Sequence, residues 1–203
     1  MILRSNGSAR AGGRRRARQW LVTAAWVVCA AARLPATTAP DAHVMVREDG
    51  GVYTVAAAFV VPEPASVAVA VLTDYEKIPR FMPDVRTSNV LERGEGLTVV
   101  EQEAVARLMM FSKRIYLVLE IHETSGTIRF RDRCGKSFAR YEGAWTITER
   151  NGQAAIAYEL TATPSFDVPE FLLKRLLKRN AAQMIERLQT EIAARSRQVA
   201  TLP

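Results

Sequence analysis

The last part of the sequence, from Val168 to about Arg195, constrains the fold most, because it has the pattern of one long amphipathic helix. Asp167 is placed to cap this helix, and Pro169 and Glu170 suit its first turn. The helix is expected to be about 40 Å long. A helical wheel puts Leu172, Leu173, Leu176, Leu177, Ala181, Met184 and Leu188 on one side, and Lys174, Arg175, Lys178 and Arg179 on the other.

So long an apolar side needs a large surface to cover it, and the preceding sequence is dominated by strand patterns. We therefore predict an α+β fold in which a curved antiparallel sheet wraps around one long C-terminal helix. Two prolines are expected to hold residues 74–83 in short turns that expose aromatic side chains. Strands are predicted at 44–48, 52–61, 86–92, 97–108, 114–122, 127–133, 137–148 and 153–163, with a short helix at 65–73.

The strongest turn signal is Asn151-Gly152, which sets the pairing of the last two strands. With a two-residue turn there, Trp145 lies opposite Tyr158 and Ile147 lies opposite Ile156. These four side chains are predicted to share one inner face of the sheet.

The first 39 residues have the pattern of a secretory signal peptide and a short linker, and residues 40–203 are predicted to form one domain. Arginines precede an apolar run at residues 20–32, which is shorter than the roughly 20 residues that cross a bilayer. An uncleaved anchor is the alternative. The pattern predicts an exported protein, in the periplasm of a bacterium, with cleavage after Ala32, Ala36 or Ala39.

The basic charge of the chain belongs to this leader. The net charge is +7, and seven arginines precede Asp41, the first acidic residue. Without those seven, 21 basic residues balance 21 acidic ones. The composition therefore gives no support to nucleic-acid binding. Cys134 is the only cysteine after the leader, so no disulfide can form within the predicted domain.

Several short motifs, taken in order, carry a resemblance to a known superfamily. They are Leu72-Thr73-Asp74-Tyr75 with Pro79, Phe81 and Pro83, then Ser88-Asn89-Val90-Leu91-Glu92, then Tyr141-Glu142-Gly143-Ala144-Trp145, and the final helix. Residues 44–195 thus resemble the helix-grip fold of the START-like (SRPBCC) superfamily, and within it the polyketide cyclase and coenzyme Q-binding START group. The resemblance implies that an apolar small molecule, such as a lipid, sterol, quinone or polyketide, is held between sheet and helix.

Alanines in the predicted strands also favour a cavity, because alanine is disfavoured in strands and small inner side chains leave room. Close approach of the helix to the sheet is the alternative explanation. The alanines are Ala56, Ala57, Ala58, Ala104, Ala106, Ala154, Ala155, Ala157 and Ala162. The predicted ligand-binding residues are Tyr75, Phe81, Met82, Phe130, Trp145, Ile147, Tyr158, Leu160, Leu173, Leu176, Leu177 and Met184.

An exported binding protein or carrier is therefore the predicted function, with an enzyme of the cyclase or aromatase kind as the alternative. No cofactor, metal site or dedicated catalytic group is identified, since histidine and cysteine are scarce. His122 and Cys134 form the one conceivable nucleophile pair, but a pairing of His122 with Thr127 would put Cys134 opposite Ile115, several residues away. Polar groups that would serve acid–base chemistry are Tyr75, Glu101, Glu103, Arg107 and Tyr158.

Transient contact with a membrane surface is a further hypothesis. The basic side of the long helix and the apolar run at residues 108–111 are the candidate contacts. Burial of each large apolar side chain is worth roughly 1.5–3 kcal/mol, against about 1 kcal/mol for a basic residue near an anionic surface. The apolar side of the helix is therefore assigned to the core, and only its basic face is left for weak surface contacts.

Overall fold

The computed structural model describes residues 43–108 and 111–200. The predicted signal peptide and linker lie outside these residues, as do Met109 and Met110. Within the described ranges, no helix is both long and apolar enough to cross a membrane.

The described residues form one eight-stranded antiparallel sheet and a long C-terminal helix, which confirms the predicted fold class. The strands lie in the spatial order β1-β2-β8-β7-β6-β5-β4-β3, so most neighbours in sequence pair as hairpins. A 3₁₀ turn at Tyr75–Lys77 separates the two short helices. The elements are β1 His43–Asp49, β2 Val52–Val61, α1 Ala65–Leu72, α2 Ile78–Phe81, β3 Val85–Arg93, β4 Leu97–Leu108, β5 Phe111–Thr124, β6 Thr127–Asp132, β7 Phe138–Arg150, β8 Gln153–Pro164 and α3 Glu170–Ala200.

The hairpin between β7 and β8 has the predicted register. Asn151 and Gly152 both adopt positive φ angles, 53° and 75°, which is the backbone of a two-residue turn that matches the twist of the strands. Trp145 consequently lies opposite Tyr158, and Ile147 opposite Ile156.

Helix α3 begins later and ends later than predicted. The backbone amides of Leu172 and Leu173 both donate to the carbonyl of Pro169, so the first acceptor of the helix is Pro169 and the predicted cap at Asp167 is wrong. At the other end the helix continues to Ala200, beyond the predicted end at about Arg195. The core lies between α3 and the concave face of the sheet.

The predicted register between β5 and β6 is wrong by two residues. The turn consists of Ser125 and Gly126 alone, so that His122 pairs with Arg129 instead of Thr127. Cys134 therefore does not lie opposite Ile115. Its Sγ atom is 3.9 Å from the carbonyl oxygen of Tyr116 and 3.6 Å from an Asp132 carboxylate oxygen.

Candidate ligand-binding cavity

A cavity of about 330 Å³ lies between the concave face of the sheet, α3 and the segment at residues 75–85. Alternation along the strands explains its apolar walls, since every second side chain points toward α3. On β5 these are Ile115, Leu117, Leu119 and Ile121, all of them buried and all in the wall.

Eleven of the twelve predicted ligand-binding residues line this cavity. The exception is Ile147, which is buried in the core at 4% exposure but is not part of the cavity wall. That the eleven contact a ligand stays a prediction. They are Tyr75, Phe81, Met82, Phe130, Trp145, Tyr158, Leu160, Leu173, Leu176, Leu177 and Met184.

The alanines contribute less to the cavity than the sequence suggested. Of the nine strand alanines, only Ala104 and Ala106 line it. Ala57, Ala154 and Ala162 are buried in the core elsewhere, where they allow close packing. The remaining four alternate with buried residues and so occupy the other face of their strands.

One wall of the cavity is aromatic, and Gly143 makes this wall possible. The rings of Trp145 and Tyr158 are 4.4 Å apart between centroids, and the Phe130 ring lies 6.4 Å from that of Tyr158. A Cβ atom on Gly143 would stand 2.6 Å from Cζ of Phe130 and 2.1 Å from the backbone oxygen of Glu159. Because this position has no side chain, the Phe130 ring can cover β7 there.

Two tyrosines place hydroxyl groups in this apolar setting. Tyr141 and Tyr158 both line the cavity, where each affects the pKa of the other. Burial raises the pKa of Tyr141 to about 12, although the interaction with Tyr158 opposes the rise. Burial also raises the pKa of Tyr158 well above its ordinary value. Both groups are therefore neutral hydrogen-bonding groups at physiological pH.

Other polar groups line the cavity near its edges. The Gln102 side-chain amide donates to the Ser88 hydroxyl at 3.1 Å. Asp84 is exposed and lies 3.9 Å from the Arg107 guanidinium. Asn180, Gln183 and Arg187 line the cavity from α3. Tyr141, Gln102 and these helix residues were not among the predicted ligand-binding residues, although the strand alternation that identified Trp145 also places Tyr141 on the inner face.

The segment that follows α1 closes one side of the cavity, and its predicted exposure is wrong for Tyr75. This residue is only 4% exposed, and its hydroxyl donates to the Glu123 carboxylate at 2.8 Å. Burial and this hydrogen bond raise the pKa of Tyr75. Phe81 and Met82 are half-buried and pack against the core while they line the cavity.

The closing segment is tied to the end of α3 by an ion pair. Arg195 donates to the Asp74 carboxylate at 2.7 Å and to the Ala70 carbonyl at 3.3 Å, and it also binds Glu191. Burial raises the pKa of Asp74, but hydrogen bonds from Lys77 and Arg195 outweigh burial and hold that pKa below its ordinary value. The ion pair therefore fixes α3 against the turn that precedes Tyr75.

The other candidate catalytic groups are not brought together in the cavity. Glu101 and Glu103 pair with Val118 and Tyr116 on the opposite face of the sheet, because they alternate with the inner residues of β4. His122 is exposed beside Glu120, at a different position along β5 from the carbonyl that Cys134 contacts. In residues 43–108 and 111–200, no cluster of His, Cys, Asp and Glu has the arrangement of a metal site.

A curved antiparallel sheet that grips a long C-terminal helix around an apolar cavity defines the helix-grip class of START-like proteins. The chain belongs to the family described as polyketide cyclase / dehydrase and lipid transport, whose pattern matches residues 61–189. A comparison with curated protein sequences found no match.

Solved structures share the fold at low sequence identity. A STAR-related lipid transfer protein from Xanthomonas axonopodis is 20% identical with a TM-score of 0.65, over 76% of this chain and 95% of that one. The Zhui aromatase/cyclase from Streptomyces sp. R1128 is 14% identical with a TM-score of 0.64, over 74% and 99%. A START superfamily protein from Mycobacterium smegmatis is 14% identical with a TM-score of 0.62, over 70% and 97%.

Proposed function

We propose that this protein is an exported binding protein or carrier for a hydrophobic small molecule of the lipid, isoprenoid quinone or sterol class. The observation that carries the proposal is the cavity of about 330 Å³ between sheet and α3, whose walls are mainly aliphatic and aromatic. Transfer of an apolar molecule from water into such walls is favourable by about 25 cal/mol for each Å² buried. Export is proposed from the leader pattern alone.

The cyclase or aromatase alternative has one observation in its favour, which is the Tyr141–Tyr158 pair within an apolar cavity of a family that includes polyketide cyclases. General base catalysis near neutral pH needs a group that titrates in that range. Because burial raises the pKa of both tyrosines, they act as hydrogen-bond donors at neutral pH. A carrier is therefore the preferred function.

A carrier also needs a surface that meets the source of its ligand, and we propose that the start of α3 is this surface. Phe171 is 73% exposed, which is unusual for a large aromatic side chain. Arg175, Lys178 and Arg179 are exposed on the same helix, and within the described ranges none of them has an ion-pair partner. An exposed aromatic group beside cations favours contact with an anionic lipid surface.

Flotation of the protein with vesicles tests this surface. Vesicles that contain phosphatidylglycerol should retain the protein, whereas vesicles of phosphatidylcholine alone should retain less. Phe171→Ser should reduce the retention, and the control Leu91→Ser, which removes an exposed apolar side chain from β3, should not. Equal retention by both kinds of vesicle, or an unchanged Phe171→Ser variant, would contradict the proposal.

Mass spectrometry of an organic extract tests the carrier function itself. The purified protein should yield an apolar compound in a stoichiometric amount. Ala104→Phe fills the cavity from its wall and should reduce the yield, whereas Ala157→Phe adds the same group to the exposed face of β8 and should not. A clean extract from the unaltered protein, or equal yields from both variants, would refute the proposal.

A further inference from the structure

The aromatic wall of the cavity is formed by neighbouring rings, and two of them, Tyr141 and Tyr158, carry hydroxyl groups. The ring planes of Phe130 and Tyr158 differ by only 18°, whereas the ring of Tyr141, 6.0 Å from that of Phe130, is tilted by 40°. Tyr141 and Tyr158 lie on neighbouring strands, on either side of the pair formed by Gly143 and Leu160, and the Phe130 ring lies over Gly143 between them. Offset stacking against such rings favours a flat ligand.

A count of donors leaves one hydroxyl proton unused. Each tyrosine hydroxyl has one proton to donate and can also accept. At most one of these two protons can be donated within the pair, so at least one proton still needs an acceptor. No further hydrogen-bond partner of either hydroxyl is found among residues 43–108 and 111–200. Because both tyrosines line the cavity, a bound molecule is in a position to accept this proton.

The other donors in the cavity wall are placed differently. Asn180 and Gln183 are partly exposed and Arg187 is exposed, so water competes for each of them. The Gln102 amide already donates to Ser88. Tyr158, at 6% exposure, is more deeply enclosed than any of these groups. An unpaired donor discriminates most strongly between ligands where water is excluded.

We infer that the cavity selects flat apolar compounds that carry a carbonyl oxygen, which accepts the spare proton of the Tyr141–Tyr158 pair. This inference rests on the proposed binding function and narrows its ligand class. Aromatic ketones and quinone-like rings meet both requirements. Saturated acyl chains meet neither, because they are not flat and their hydrocarbon part offers no acceptor.

Equilibrium dialysis of the 203-residue chain with 9-fluorenone and fluorene tests the inference. The two probes have nearly the same shape, and fluorene has a CH₂ group in place of the carbonyl. The measured quantity is the ratio of their affinities. The double variant Tyr141→Phe with Tyr158→Phe should lower this ratio by about threefold to tenfold, the range expected for one neutral hydrogen bond.

The matched control is Tyr116→Phe, which removes a hydroxyl from the opposite face of the sheet and should leave the ratio unchanged. Removal of both members of the tyrosine pair leaves no unpaired partner, so the double variant should fold. An independent readout on the unaltered protein is the infrared carbonyl stretch of bound fluorenone. Its frequency should fall below the value in hydrocarbon solvent.

The outcomes distinguish a failure of the inferred ligand class from a failure of the proposed carrier function. An equal affinity ratio in the double variant, or a carbonyl stretch at the hydrocarbon value, would overturn the inference and leave the carrier function standing. Binding of neither probe, together with a clean organic extract, would overturn both.

Discussion

Replacement of Gly143 by alanine should be among the most destabilising single-methyl additions in the chain. The added Cβ atom would lie 2.1 Å from the backbone oxygen of Glu159 and 2.6 Å from Cζ of Phe130. The phenyl ring can rotate away, but the carbonyl belongs to the strand that pairs with β7 through Gly143 and Leu160. Relief of the closer contact therefore requires a shift of the backbone.

The magnitude follows from the nature of the displaced group. Overpacking of a core costs about 1–3 kcal/mol, and damage to a sheet hydrogen bond adds about 0.5–1.5 kcal/mol. We expect Gly143→Ala to lower the free energy of unfolding by about 3 kcal/mol or more. For a domain of this size, that corresponds to a fall in Tm of about 6–12 °C.

Urea unfolding followed by circular dichroism measures the effect. The control is Gly94→Ala, where the added Cβ would lie 3.8 Å from its nearest neighbour, the Leu97 oxygen, and where the expected change is within about 0.5 kcal/mol. Phe130→Leu added to Gly143→Ala removes only the ring contact, so most of the loss should remain. A Gly143→Ala variant as stable as the Gly94→Ala control would refute the packing described for the aromatic wall.

Three further predictions concern the closing segment and the aromatic wall. Replacement of Phe81 and Met82 by serine should slow ligand exchange, measured by stopped-flow release, and should leave Tm nearly unchanged in thermal melts. A large loss of stability with normal exchange would instead show that both residues belong to the core. Asp74→Asn should lower the free energy of unfolding at neutral pH. This difference in stability from wild type should disappear as pH falls through the lowered pKa of Asp74, because only the ionised carboxylate forms the ion pair with Arg195. A difference in stability that does not vary with pH would contradict this ion pair. In a variant whose other tryptophans are replaced, Trp145 should emit at short wavelength, and a quinone should quench it saturably, whereas emission typical of water would contradict its 9% exposure.

Much of this fold was predictable because its signals are local. The Asn151-Gly152 turn determines which residues of β7 and β8 face each other, and so placed Trp145 opposite Tyr158 correctly. The strict alternation of apolar residues along β5 likewise predicted which of its side chains lie on the inner face of the sheet. The apolar side of α3 also follows from helical spacing, although Ile185 and Ile192, both fully buried, were not included in it.

The errors arose where a tertiary contact decides the outcome. Tyr75 lies in a segment with two prolines, and its burial results from packing in the core and from a hydrogen bond to Glu123, which is distant in sequence. The ion pair between Arg195 of α3 and Asp74 is likewise a contact between residues that are distant in sequence. The strand alanines share one composition signal, but their roles differ with the face that each occupies. Composition alone could not make that distinction.

The central claim is that an apolar molecule occupies the space between the sheet and α3. A crystal structure of the protein purified without removal of bound lipid tests it most directly. Electron density for an organic molecule should appear inside the cavity, in contact with Tyr158 and Leu177. A cavity filled by the protein's own side chains, or a compound found only on the outer surface, would contradict the claim.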